Sequence, residues 1–180
     1  KHSTIPMTTP KHQPDVIVVG AGPVGSYAAQ HLAQKGLNVS VYEEHSAVGL
    51  PSHCAGHISI RSLRNMGFYP LPKGVEENTF SAANFYSPQG TKFSLHLNCP
   101  VTVALNRARF DQYLAGQAKA AGANFIMGSA AQSLLMANGH VKGVMVKHDG
   151  VEEQVNSKIV VDTEGISSRL LRQTGLQPLN

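Results

Sequence analysis

A glycine-rich turn between a short apolar run and a helix-like segment constrains this chain more than any other feature. Val16 to Val19 is a run of β-branched residues, which is typical of a buried parallel strand. It leads into Gly20 to Gly25, a G-x-G-x-x-G sequence, and then into a segment with apolar residues at every fourth position that ends at Gly36. A second strand is predicted from Leu37 to Tyr42. The stretch therefore predicts a strand–turn–helix–strand unit.

Each glycine of the turn has a separate physical role. Gly20 permits the tight turn, Gly22 lets the backbone approach a pyrophosphate, and Gly25 lets the helix pack closely on the strand. The positive end of the helix then faces the phosphates. Glu43 lies at the tip of the second strand, where a carboxylate can accept hydrogen bonds from a ribose diol. The pattern indicates a dinucleotide site, and the alternative is an ordinary glycine-rich turn.

Composition limits the classes of function. The 180 residues are 42% hydrophobic and 14% charged, which describes a globular chain. The net charge of +4 is scattered, so no nucleic-acid surface is expected. The sequence has no apolar run long enough to span a bilayer. With Cys54 and Cys99 as its two cysteines and no C-x-x-C, the sequence favours a reducing, cytoplasmic compartment.

The rest of the chain predicts an α/β fold, a Rossmann-like parallel sheet with an antiparallel β insertion. Residues 1–14 are expected to be a disordered tail or an artificial extension, and residues 15–180 an incomplete nucleotide-binding domain. Strand-like runs from Asn78 to Tyr86 and from Thr91 to Leu97 form a predicted hairpin. This insertion, at about 76–100, is expected to begin a second domain that binds substrate. Further strands and a second predicted hairpin at 141–155 follow a helix that starts near Arg107.

The order of these motifs resembles the FAD-dependent oxidoreductases of the glutathione-reductase-like class, in the branch of aromatic hydroxylases and geranylgeranyl reductases. The signature is the glycine turn with Glu43, the Asn106 to Asp111 segment before a helix, and the Glu164 to Arg169 segment after a strand. Gly49 to Ser59 resembles the G-x-P-x-x-C-x-G-x-x-S loop of geranylgeranyl reductases. The resemblance implies an FAD-binding fold.

The resemblance also implies roles for particular residues. The turn Gly20-Ala21-Gly22-Pro23-Val24-Gly25 would cradle the FAD pyrophosphate, and Glu43, with Glu44 beside it, would hold the adenosine ribose. Arg107 matches an arginine against the flavin nucleotide, and its alternative is a surface arginine at a helix start. Ala131 matches a strand position whose backbone meets the adenine, and Gly165 a close approach after the last strand. Glu164 stands where the family has aspartate.

The implied function is reduction of double bonds in an isoprenoid or other hydrophobic substrate by FAD, with NAD(P)H or another carrier as electron donor. The alternatives are a flavin hydroxylase of the same fold and a non-catalytic nucleotide-binding fragment. A peripheral membrane contact through the substrate is expected. A further G-D motif of the family has no counterpart here. We therefore expect a missing C-terminal segment or partner chain, weak flavin retention, and apolar faces exposed on both hairpins.

Cys54 is the candidate catalytic residue. Its loop follows the second strand, so it leaves the carboxyl end of the parallel sheet, where ligands of such sheets bind. A thiol there could contact substrate or donate a proton. The alternatives are a small core residue and a zinc site with His53 and His57, and no metal is expected because no second ligand pair has finger spacing.

Overall fold

The computed structural model describes residues 13–52 and 54–176, so most of the predicted tail lies outside the described residues. In chain order the elements are β1 (Val16–Val19), α1 (Pro23–Gln34), β2 (Val39–Tyr42), β3 (His57–Ser59), α2 (Ile60–Asn65), β4 (Glu76–Phe80), β5 (Ala82–Tyr86), β6 (Lys92–His96), β7 (Thr102–Leu105), α3 (Arg107–Ala120), β8 (Asn124–Ile126), β9 (Ser129–Ala137), β10 (His140–His148), β11 (Val151–Asn156), β12 (Ile159–Asp162) and, after a 3₁₀ turn at Gly165–Ser167, α4 (Arg169–Gln173). The predicted mixed α/β fold is confirmed.

The chain divides into two compact units. The first unit extends to Val48 and resumes at Leu114, and the second is Gly49–Tyr113. The second boundary falls inside helix α3. The predicted β insertion lies wholly in the second unit.

A parallel sheet in the order β12-β1-β2-β8 forms the centre of the first unit. All four side chains of β1 are buried because both faces of the sheet are covered. Val16 and Val18 share a core cluster with Ala29 of α1 and Ala118 of α3. Burying one such valine contributes about 1.5–3 kcal/mol, so β1 anchors this unit.

The opposite face of the parallel sheet is covered by a second, antiparallel sheet in the order β11-β10-β9. Ile17 and Val19 share a cluster with Val144 and Val146 of β10. Both β10 valines are buried, so the expectation that the hairpin at 141–155 exposes its apolar face was wrong. The parallel sheet itself provides the cover.

The second unit contains a three-stranded antiparallel sheet, β3-β7-β4, and a separate two-stranded ribbon, β5-β6. Ser59 is the N-cap of helix α2. Its hydroxyl accepts a hydrogen bond from the N–H of Ser62 at 3.3 Å. Phe68 meets Phe110 edge to face, with ring centroids 6.0 Å apart, in the core of this unit.

The β5-β6 ribbon is amphipathic. Register places Phe85 opposite Phe93 and Ala83 opposite Leu95 on one face, because side chains alternate along a strand. The two phenylalanines are 55% and 61% exposed. The apolar face expected on this hairpin is therefore present.

Two details of the second unit differ from the sequence prediction. The single strand predicted from Asn78 to Tyr86 is two strands that separate at Ser81, because β4 pairs with β7 and β5 pairs with β6. Strand β3 lies in a stretch predicted as loop. Its residues form a strand because β7 supplies an antiparallel partner, which is a long-range effect.

Within the described ranges, no helix is long and apolar enough to cross a membrane.

Two glycine substitutions test the packing of the helices. A Cβ at Gly25 would collide with the carbonyl oxygen of Gly20, whereas a Cβ at exposed Gly116 of α3 meets nothing within 4 Å. We expect Gly25→Ala to lower the free energy of unfolding by at least ~1–3 kcal/mol through overpacking. Gly116→Ala should raise it by ~0.5–1 kcal/mol because alanine favours helix. Denaturant unfolding of both variants measures this, and a Gly25→Ala protein as stable as the parent would contradict the packing argument.

Candidate functional site

The glycine turn has the geometry that an anion-binding cradle requires. Gly20 has a φ of +97° and donates its N–H to the carbonyl of Tyr42 at 2.8 Å. Gly22 is the N-cap of α1 and has no side chain that could cap this helix start. The N–H groups of the first helical turn have no intrahelical acceptor, so they are available to a phosphate. A Cβ at Gly22 would meet nothing within 4 Å, so the turn is open at the position where a pyrophosphate would lie.

Glu43 is connected directly to this turn. Its Oε2 accepts the backbone N–H of Ala21 at 2.7 Å, and its Oε1 accepts the backbone N–H of His45 at 3.0 Å. The Nδ1 atom of His45 lies 2.6 Å from the same Oε1. The predicted ribose-binding carboxylate therefore also fixes the conformation of the glycine turn.

Glu44 has a different environment from Glu43. Its Oε2 accepts a hydrogen bond from the Arg169 guanidinium at 3.1 Å, and both side chains are about half exposed. Exposed ion pairs of this kind contribute little to stability. Burial alone would lower the pKa of Arg169, but hydrogen bonds and charge from Glu164 and Glu44 raise it.

Glu164, the residue in place of the family aspartate, holds the start of helix α4. Its side chain is only 4% exposed, and its Oε2 accepts the backbone N–H of Leu170 at 2.8 Å. Its Oε1 accepts from Nε of Arg169 at 3.2 Å. The neighbouring Gly165 has a φ of +68° and open space at its Cβ position. Gly165 thus keeps the accessible backbone that its predicted role requires.

Ala131 is buried in β9, opposite Val146 of β10, and belongs to the core beneath the parallel sheet. Its predicted contact with adenine involves the backbone, and it stays a prediction. Val24, by contrast, has a largely exposed side chain next to the turn. It is the second residue of α1, which begins at Pro23.

Thr163 is a site residue that the sequence analysis missed. Its hydroxyl donates to the carbonyl of Val19 at 2.6 Å and lies 3.2 Å from the carbonyl of Gly20. A Cβ at Gly25 would also crowd this hydroxyl. The available signal was a hydroxyl residue directly after the strand that pairs with β1. Thr163 therefore fixes the entrance to the glycine turn.

In the second unit, the loop that carries Cys54 packs closely on the start of α3. A Cβ at Gly49 would lie 2.8 Å from the backbone of Ala108, and one at Gly56 would collide with the Leu105 carbonyl. Both glycines have positive φ. The glycine spacing of this loop is thus explained by close approach to the helix start that carries Arg107.

Cys54 is exposed, which excludes the core interpretation. Its Sγ accepts the N–H of Gly56 at 3.4 Å. This hydrogen bond, with a further contribution from the nearby Arg107 guanidinium, lowers the pKa of the thiol.

His53, which the zinc alternative requires, lies outside the described residues, and the described ranges contain no group of three potential metal ligands.

Asp111 holds Arg107 in a two-point ion pair. Nε and a terminal nitrogen of Arg107 donate to the two carboxylate oxygens at 3.1 and 3.2 Å, and both side chains are largely buried. Burial raises the pKa of Asp111. Burial alone would lower the pKa of Arg107, but the hydrogen bond and the charge of Asp111 raise it. We interpret the pair as ionised because the bidentate geometry is that of a charge-assisted fork. Arg107 is therefore not a free surface arginine.

Comparison with known proteins places this geometry in context. Residues 13–180 match the family described as FAD binding domain. A digeranylgeranylglycerophospholipid reductase of Methanopyrus kandleri is 38% identical over 165 residues, which cover 91% of this chain and 40% of that protein. The chain therefore spans well under half the length of this relative.

Solved structures agree with the fold. A geranylgeranyl bacteriochlorophyll reductase-like protein from Thermoplasma acidophilum has a TM-score of 0.84 at 31% identity, over 93% of this chain and 43% of that chain. An anhydrotetracycline hydroxylase from Streptomyces rimosus has a TM-score of 0.73 at 21% identity, over 92% of this chain and 34% of that chain. The second likeness concerns the fold alone.

Alkylation kinetics test the environment of Cys54, with the exposed Cys99 as an internal reference that reports on folding and reagent quality. We expect the alkylation rate of Cys54 to reach half its maximum below the ordinary thiol pKa of about 8.5. Arg107→Gln should move this midpoint upward in part, because the Gly56 hydrogen bond remains. Iodoacetamide labelling followed by peptide mass spectrometry measures both sites. A Cys54 midpoint at or above the ordinary thiol pKa of about 8.5 would refute the assignment.

Proposed function

This chain belongs to the family of FAD binding domains, which matches residues 13–180, and on that premise we propose that it is the nucleotide-binding part of a geranylgeranyl-reductase-like enzyme. FAD is its cofactor, as predicted. The observation that carries the proposal is the open glycine turn joined to Glu43 by the Ala21 hydrogen bond. Because the relatives are considerably longer, reduction of an isoprenoid double bond is proposed for the whole enzyme.

In this proposal the first unit binds the adenine dinucleotide half of FAD. The N–H groups at the start of α1 receive the pyrophosphate oxygens, and Gly22 leaves room for their approach. Glu43 accepts hydrogen bonds from the adenosine ribose. Gly165 and the backbone of Ala131 are proposed as further contacts, and Glu44 holds Arg169 rather than the ribose.

The second unit supplies a thiol and a buried ion pair for the chemistry. FAD, once reduced by the electron donor, would supply a hydride, that is, two electrons and one proton, to one carbon of the double bond. The reduced carbon pair also needs one proton, and we propose the Cys54 thiol as its source, since a thiol of lowered pKa is the better acid. Arg107, held by Asp111, offers a guanidinium to the flavin nucleotide.

The substrate class rests on the relatives. The name digeranylgeranylglycerophospholipid reductase describes an enzyme that acts on an isoprenoid lipid, which supports a similar lipid substrate and work at a membrane surface. The exposed ribbon β5-β6 fits the predicted start of a substrate-binding domain. A reduced nicotinamide is proposed as the electron donor.

Two substitutions test the nucleotide site. A Cβ at Gly22 meets no protein atom within 4 Å, so Gly22→Val should place its side chain in this open space and abolish binding of FAD and ADP while thermal stability is unchanged. Glu43→Ala should weaken binding by ~1.5–3 kcal/mol because the ribose loses a charged acceptor. Calorimetric titration with ADP and FAD measures both. Unchanged affinity in both variants would refute the proposed nucleotide site.

Cys54→Ser tests the chemical role in a protein that spans the full length of the relatives. We expect unchanged FAD content and melting temperature, and turnover of an isoprenoid alkene lowered by ~10²-fold or more, the usual range for loss of a proton donor. Oxygen consumption measured in parallel separates alkene reduction from hydroxylation. Unchanged turnover per FAD would remove Cys54 from the mechanism, and substrate-dependent oxygen uptake would favour the hydroxylase.

A further inference from the structure

The carboxylate of Glu43 is nearly saturated by its own chain. Oε2 accepts the N–H of Ala21, and Oε1 accepts the backbone N–H of His45 and lies 2.6 Å from its Nδ1. An ionised carboxylate only accepts, so the Nδ1 atom carries the proton in this contact. Each oxygen has two lone pairs, so contacts among the described residues fill three of about four acceptor positions and leave one, on Oε2.

A ribose diol requires more than this. Its two hydroxyls each donate one hydrogen bond, and together they need two acceptor positions on the carboxylate. One position is open, and the imidazole of His45 holds the second. The backbone N–H bonds from Ala21 and His45 can both stay in place if the imidazole alone leaves.

We propose that His45 competes with the adenosine ribose for Oε1 of Glu43, and that its side chain must release this oxygen before both ribose hydroxyls can bind. This inference rests on the proposed nucleotide site. His45 is thus a residue that sets affinity and selectivity for the ribose diol, and it does not itself touch the reacting atoms.

The surroundings of His45 permit a movement of the side chain alone. The His45 carbonyl accepts the N–H of Gly128 at 3.0 Å, and the Glu43 carbonyl accepts the N–H of Ser129 at 2.7 Å. These bonds hold the backbone on both sides of the contact. The His45 side chain is 48% exposed, against 12% for Glu43, so the imidazole can rotate into solvent without leaving a cavity.

Binding of ADP and 2′-deoxy-ADP to this chain tests the proposal. ADP carries the diol and the pyrophosphate but no flavin, and 2′-deoxy-ADP lacks one hydroxyl and needs only the acceptor position already open. The quantity measured is the ratio of the 2′-deoxy-ADP Kd to the ADP Kd. We expect a ratio near one for the unchanged chain, and about three- to tenfold higher for His45→Ala, the worth of one added hydrogen bond.

His45→Asn is the matched control, because its amide nitrogen replaces Nδ1 as a donor. It should keep the ratio of the unchanged chain. The proposal would be overturned if His45→Ala left the ratio unchanged or lowered it. Equal weakening of both ligands leaves the ratio unchanged, and it would mean that His45 only attracts the phosphates. ADP binding that Gly22→Val does not reduce would instead refute the proposed nucleotide site.

Discussion

The arrangement of the first unit depends on one close approach, that of Gly25 at the start of α1 to the carbonyl of Gly20 at the end of β1. No side chain fits between them, and the Thr163 hydroxyl closes the same corner from β12. This contact brings the start of α1 next to the end of β1, a strand whose side chains are all buried. The N–H groups of the helix start, which form the proposed nucleotide cradle, and the core of the unit are therefore fixed by the same few atoms.

Glu43 joins this cradle to the neighbouring strand. It accepts from Ala21 in the turn and from His45 in its own loop, so contacts within the chain already use most of its acceptor positions. A buried or half-buried carboxylate is stabilised by such donors, and a ligand that needs more than the one open acceptor position must exchange with one of them. Affinity for the ribose is consequently a difference between two sets of hydrogen bonds, and His45 is the member of the first set that can leave.

The second unit repeats the use of glycine for close approach, but for a different purpose. Gly49 and Gly56 let the loop lie against the start of α3, and this places Cys54 near Arg107. Asp111 then keeps Arg107 charged and oriented through two hydrogen bonds. The motif that suggested a reductase is thus, in physical terms, a loop that brings a thiol next to a fixed positive charge.

The sequence by itself determined the strand, the glycine turn, the helix after it and the acid at the tip of β2, because each is written in a local pattern of a few residues. It also located Cys54 and Arg107 by motif. Only the tertiary structure decided the partners. Thr163 reaches a carbonyl 144 residues away, β3 forms because β7 pairs with it, and Asp111 pairs with Arg107. Such contacts depend on strand order and register, which bring together residues with no local relation in the chain.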